Sequence, residues 1–127
     1  MANVLFAEDD ADVIEAHRTL LETRGYEVTA AGSAEEARKQ LEKISPDIFI
    51  LDVMMETKSA GFQLARDVHS KYPNTPIVMM TGVRQKMDLP YGFEPDETWL
   101  PITTFLEKPV DPDRLADTLD NALKGNQ

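Results

Sequence analysis

Asp52 closes an almost wholly apolar run, Asp47-Ile48-Phe49-Ile50-Leu51-Asp52, and Glu8-Asp9-Asp10 closes another, Val4-Leu5-Phe6-Ala7. A strand packed on both faces reads as a continuous apolar run, and open parallel sheets gather ligands just past the carboxyl ends of their strands. If the two runs are neighbouring strands, their terminal carboxylates converge at one sheet edge. Like charges at that range repel strongly, so the cluster requires a bound cation or displaced pKa values to persist.

The elements that must position these acids alternate along the whole chain. After the Val4–Ala7 strand, residues 11–24 put Val13, Ile14, Leu20 and Leu21 on one helical stripe that closes at Gly25. Tyr26–Ala30 reads as a shorter strand. Ser33-Ala34-Glu35-Glu36 is a capping box opening a helix that carries Ala37, Leu41 and Ile44 and stops at Ser45-Pro46. The strand Asp47–Leu51 follows, then a helix over 60–72 through Phe62, Ala65, Val68 and Tyr72. Pro76–Met80 is a fourth buried strand ending in Thr81-Gly82, and Ile102–Leu106 is a fifth. Asp111-Pro112 supplies an N-cap and a proline at the first helical position for a last helix carrying Leu115, Leu119 and Leu123. Strands alternating with helices predict an α/β fold, a doubly wound parallel sheet with helices on both faces. The exception is 83–101, where Pro90, Pro95, Pro101 and Gly92 leave room for at most one short helix, over 84–89.

The order of polar residues at strand ends is the specific signal. Glu8-Asp9 follows the first strand, Asp52 the third, Thr81-Gly82 the fourth and Lys108-Pro109 the fifth, all at one carboxyl edge. Over essentially its whole length the chain resembles the receiver domain of two-component response regulators. That resemblance implies a flavodoxin-like five-stranded sheet of order 2-1-3-4-5, with the helix-4 region irregular or shortened. It implies that Asp52 is the phosphoacceptor, attacking a phosphoryl group to form an acyl phosphate. It implies one Mg²⁺ held by Asp9 directly, Glu8 through water, Asp52, and the backbone carbonyl of Met54, oxygen donors of the kind that ion takes. Lys108 would pair with a phosphoryl oxygen and balance Asp52 beforehand, and the Thr81 hydroxyl would donate to another oxygen. Thr81 and Phe105 occupy the family's switch positions, and the Lys108-Pro109 peptide would be cis.

Two places depart from the family pattern. Glu56 stands four residues after Asp52, where proline is usual, and glycine arrives at Gly61, nine after, so the intervening loop is about one residue longer. The segment 83–101 replaces a regular helix and carries Tyr91, Phe93 and Trp99. It reads either as an irregular loop packing its aromatics over the sheet edge or as a docking segment with aromatic anchors. Other features have plain readings. Asp10 caps the first helix, His17 packs on its helix stripe, His69 sits near a helix end, and Met54-Met55 and Met79-Met80 are packing residues.

Composition narrows the function classes. The 127 residues make one domain, 1–127, with enough apolar content (42%) for a core. A net charge of −10 argues against nucleic acid or anionic membranes as partners. The absence of cysteine excludes thiol catalysis, and no basic leader or bilayer-length apolar run is present, which predicts a cytoplasmic protein. The resulting expectation is a stand-alone Mg²⁺-dependent phospho-aspartate switch, monomer or weak dimer, rather than a turnover enzyme. It would be fed by a histidine kinase or histidine phosphotransfer protein and would signal by binding a downstream protein; a fragment of a larger regulator stays open. The alternatives are a receiver-like interaction module that is never phosphorylated, and a Mg²⁺-dependent aspartate-nucleophile phosphohydrolase. Against the hydrolase, the usual second acid two residues after the nucleophile is here Met54.

Overall fold

The computed structural model describes residues 2–57, 59–81 and 104–125. Within them run β1 (Ala2–Ala7), α1 (Ala11–Thr23), β2 (Tyr26–Ala31), α2 (Ala34–Gln40), β3 (Ile48–Asp52), α3 (Ala60–Lys71), β4 (Ile77–Thr81), β5 (Thr104–Glu107) and α4 (Pro112–Gly125). The five strands are all parallel in the order β2-β1-β3-β4-β5, as the flavodoxin-like reading requires. The segment 82–103, with its proposed short helix, its aromatics and the first residues of the expected fifth strand, lies outside the described residues.

Strand pleating divides the core into two layers. Leu5, Ala7, Phe49, Leu51, Ile77 and Met79 face α2 and α3, meeting Ala34, Ala37, Leu64, Ala65 and Val68. Val4, Phe6, Ile48, Ile50, Val78 and Met80 face α1 and α4, meeting Ile14, Leu21, Leu115, Ala116 and Leu119. Because both faces are covered, β1, β3 and β4 are apolar through their central positions, which is why they read as unbroken runs. Alternation then decides which way the strand-end residues point. By sequence parity Glu8, Asp52 and Lys108 go with Phe6, Ile50 and Leu106, and Thr81 goes with Met79.

Helix ends follow their caps. Asp10 is the N-cap of α1, its Oδ1 accepting from the Asp12 N–H at 2.9 Å, and the helix closes through Arg24 into Gly25 at φ 94°, where a side chain would be strained. The capping box at α2 forms half as expected. Ser33 Oγ accepts from the Glu36 N–H at 3.0 Å, but the Glu36 carboxylate reaches the Gly32 N–H rather than that of Ser33. The same helix ends at Gln40, short of the expected Ile44. The Glu42 and Lys43 N–H groups bond three residues back, to Lys39 and Gln40, tightening the chain into turns before Pro46. Leu41 and Ile44 still pack on the core from those turns. Asp47 stands just before β3, tied by its N–H to Asn3 O and by its carboxylate to Asn3 N–H, so Asp52 is the last strand residue rather than the first beyond it.

Candidate functional site

Register brings the acids together. Ala7 pairs with Leu51, so Glu8 and Asp52, the next residue of each strand, sit side by side. Both are buried, at 1% and 2% exposure. Asp9 projects to the surface beside them, and one carboxylate oxygen each from Glu8, Asp9 and Asp52 fall within 4.8 Å of one another. The Lys108 ammonium enters from β5, 2.5 Å from Glu8 Oε1 and 3.2 Å from Asp52 Oδ1. The sequence reading paired Lys108 with Asp52; the structure gives its shorter contact to Glu8. Lys108-Pro109 is cis, as the resemblance implied.

The electrostatics are those of an under-compensated cluster. Three carboxylates face one ammonium. Burial, and then the contact with Asp52, raise the Glu8 carboxyl above its ordinary range despite Lys108. Asp9 is also raised, by desolvation and then by Glu8. Burial works against the Lys108 charge, but Glu8 and Asp52 outweigh it and the ammonium is held more firmly than usual. Among the described residues, Glu8 Oε2 and Asp52 Oδ1 are buried without a hydrogen bond, the 3.2 Å approach of Lys108 to the latter being an ion pair only. Buried unsatisfied carboxylate oxygens are costly, and each marks a place for a cation or proton. Hard oxygen donors with spare lone pairs and room for water are the donor set of Mg²⁺, so the residues present fit that ion.

The remaining predicted residues surround this cluster. Thr81 ends β4 and is buried at 4% exposure, its carbonyl accepting from the Lys108 N–H at 2.7 Å. The Val53 N–H bonds Met80 O at 3.1 Å and Val53 O accepts from the Gly61 N–H at 2.8 Å. Met54 follows directly and is half-buried against the α2/α3 core. Phe105 packs in the same layer, its ring centroid 6.5 Å from that of Phe62. His17 is buried against Phe6 on the α1 face, as a packed histidine should be.

Two contributions to the site are carried by Gly61 and Glu56. A Cβ on Gly61 would lie 1.9 Å from the Asp52 carbonyl oxygen, so this glycine is required for α3 to abut the end of β3. Its place nine after Asp52 was noted as a departure in spacing, and only the close approach explains it. Glu56 was read as a missing proline. Its carboxylate instead accepts from the Ala34 and Glu35 N–H groups, at 2.8 and 3.0 Å. Desolvation opposes its charge, but those two donors outweigh it and hold Glu56 below the usual glutamate range. Nothing in the local sequence signals a contact between this loop and the first turn of α2.

Comparison with known proteins agrees with this fold. Residues 4–120 match the family model described as the response regulator receiver domain. The chain is 29% identical over 126 residues to the transcriptional regulatory protein GlrR of Escherichia coli K12, covering 97% of this chain and 26% of that protein. It is 29% identical over 109 residues to the alkaline phosphatase synthesis transcriptional regulatory protein PhoP of Bacillus subtilis, covering 86% of this chain and 43% of that one. The chain thus spans less than half the length of either relative. A response regulator receiver domain protein from Clostridium thermocellum superposes with TM-score 0.81 at 25% identity, covering 98% of this chain and 96% of that one. The CheY-like receiver domain protein of Methanospirillum hungatei shares the fold with TM-score 0.82, at 21% identity over 99% of this chain and 96% of its own.

Proposed function

The chain belongs to the response regulator receiver domain family, and from that premise we propose that it is a Mg²⁺-dependent phospho-aspartate switch with Asp52 as acceptor. The observation that carries the reading is the meeting of Glu8, Asp9 and Asp52 oxygens within 4.8 Å, with the Lys108 ammonium beside them.

The donor is a phosphohistidine on a histidine kinase or a histidine phosphotransfer protein. An Asp52 carboxylate oxygen attacks phosphorus in line; the new O–P bond forms as the P–N bond breaks, and the electron pair leaves on the imidazole nitrogen. Glu8, Asp9, Asp52 and the Met54 carbonyl would hold Mg²⁺, which supplies neutralisation of charge on the carboxylates and the incoming phosphoryl oxygens. Lys108, charged throughout, pairs with a phosphoryl oxygen, and the Thr81 hydroxyl donates to another. The added group brings about −1.5 to −2 charges to a buried site, so its stabilisation draws Thr81 inward and biases the half-buried Phe105 toward one packing. Output passes to a downstream protein partner. The expectation that nucleic acid is not a partner draws no support from the curated relatives, whose names are those of transcriptional regulators. Transfer is self-catalysed and the acyl phosphate hydrolyses slowly, so the protein resets without acting as a turnover enzyme.

Intact-mass measurement after incubation with acetyl phosphate and Mg²⁺ tests this. Wild type should gain a labile adduct of about 80 Da, one added phosphoryl group, and Asp52→Ala or omission of Mg²⁺ should abolish it. Sustained release of inorganic phosphate without an adduct would favour the hydrolase, and neither signal would favour the unphosphorylated module.

A further inference from the structure

We infer that Glu56 is a positioning residue for the metal site: its carboxylate ties the loop between β3 and α3, which carries Met54, to the first turn of α2. The inference rests on the reading of Met54 as a backbone metal ligand and goes further by assigning what holds that backbone in place.

The tether is a two-point contact. The first N–H groups of any helix lack intrahelical partners. In α2 the Ala34 and Glu35 N–H groups go to the two different oxygens of Glu56, and the Glu36 N–H goes to Ser33 Oγ. A charged acceptor taking two backbone donors fixes both distance and orientation, which a single neutral hydrogen bond does not. Among the described residues, hydrogen bonds also run from Met55 to Thr57 and from α3 to Thr57 and Ser59. Met55 N–H and Ala60 N–H bond Thr57 O, and Ser59 accepts from Gln63 through its backbone carbonyl and through its side-chain hydroxyl. Glu56 therefore adds a directional, two-point tie to the packing of Met54 and Met55 on the α2/α3 core.

That tie joins two segments that are each registered next to the acids. The Glu8 N–H bonds Ala31 O at 2.9 Å, so the start of the β2–α2 connection is already registered against Glu8. Val53 is registered against Met80 and Gly61. Joining Ala34 and Glu35 to Glu56 links these two registered segments, with Met54 between the Val53 and Glu56 anchor points. The usual proline would stiffen this loop by fixing its own φ; here a long-range carboxylate contact does the positioning, and it accommodates the longer loop.

The test measures Mg²⁺ affinity by titration calorimetry and amide hydrogen exchange of Ala34 and Glu35, on wild type, Glu56→Ala and Glu56→Gln, at a temperature where all three are folded. Loss of a partner bonded to a ligand typically weakens metal binding by 10- to 100-fold; Glu56 holds the ligand's loop rather than the ligand, so Glu56→Ala should weaken it by about tenfold, the low end of that range. Exchange of the two amides should accelerate in the same variant, and Glu56→Gln, which keeps a neutral acceptor, should fall between on both readouts. A variant with wild-type Mg²⁺ affinity overturns the inference, as does an affinity that falls while both amides stay protected. If wild type itself binds no Mg²⁺, the proposed function falls together with the inference, whereas failure confined to the Glu56 variants leaves the proposed function standing.

Discussion

His17 shows how a single residue's surroundings become a measurable property. It is 4% exposed, its ring centroid lies 6.1 Å from that of Phe6, and its Nδ1 has no hydrogen-bond partner among the described residues. Burial lowers its pKa below 6.5, and the opposing fields of Asp111 and Glu8 do not restore it. With the folded pKa lowered, the unfolded chain takes up the proton first as pH falls, so the stabilisation present above pH 6.5 is lost on acidification below it. Glu8 and Asp9 act in the opposite sense, because their raised folded pKa values contribute stability toward acid that is lost as pH rises. Urea midpoints at pH 7.5 and 5.5 should therefore be compared between wild type and His17→Leu. The variant should lose less stability on acidification than wild type, and equal losses would show that the imidazole charges without penalty. The packing of His17 was legible from its place on the α1 stripe. The preference of Lys108 for Glu8 was not, since it depends on which strand-end oxygens the folded edge leaves bare.

At the scale of elements, the junction of β3 and α3 is where the site is set most tightly. A glycine at the start of a helix is ordinarily improved by alanine, by roughly 1 kcal/mol of helix propensity. At Gly61 the added Cβ would meet backbone, the Asp52 carbonyl oxygen at 1.9 Å and carbon at 2.8 Å, which cannot rotate aside. Gly61→Ala should destabilise by about 1–3 kcal/mol, as forced insertion into packed structure does, and should move the Asp52 and Val53 amide resonances. A midpoint unchanged or raised in chemical denaturation would mean the junction yields freely. The strands and their order could be read from the chain because burial on both faces writes unbroken apolar runs. Helix ends were less legible. The stripe that included Leu41 and Ile44 was a true record of core contact, but Leu41 is already the C-cap of α2, and three-residue-back bonds at Glu42 and Lys43 turn the chain before Ile44. Periodicity reports which side chains are buried, and says less about whether the backbone between them is helical. Gly61 and Glu56 stayed opaque for a related reason, since both act through backbone atoms of segments that only the tertiary fold brings near.

For the molecule as a whole, net charge and site chemistry predict the same response by different routes, and the two can be separated. A charge of −10 destabilises the compact state by self-repulsion, which any salt screens. The site adds a specific term, because Glu8, Asp9 and Asp52 converge with buried oxygens that lack hydrogen bonds. A cation bound by the folded state alone stabilises it by RT ln(1 + [L]/Kd), about 2.7 kcal/mol at a hundred times Kd. For a domain of this size, a gain of that order corresponds to a rise in Tm of several degrees. MgCl₂ should accordingly raise Tm by more than NaCl at matched ionic strength, and chelation should reverse the excess. Asp9→Asn is the informative variant, since Asp9 is exposed and its loss leaves the core undisturbed while removing one donor. It should keep the NaCl response and lose most of the Mg²⁺ excess. If Mg²⁺ and Na⁺ act alike on wild type, the acids are stabilised by protons and Lys108 alone, and the clustering at the sheet edge would not amount to a metal site.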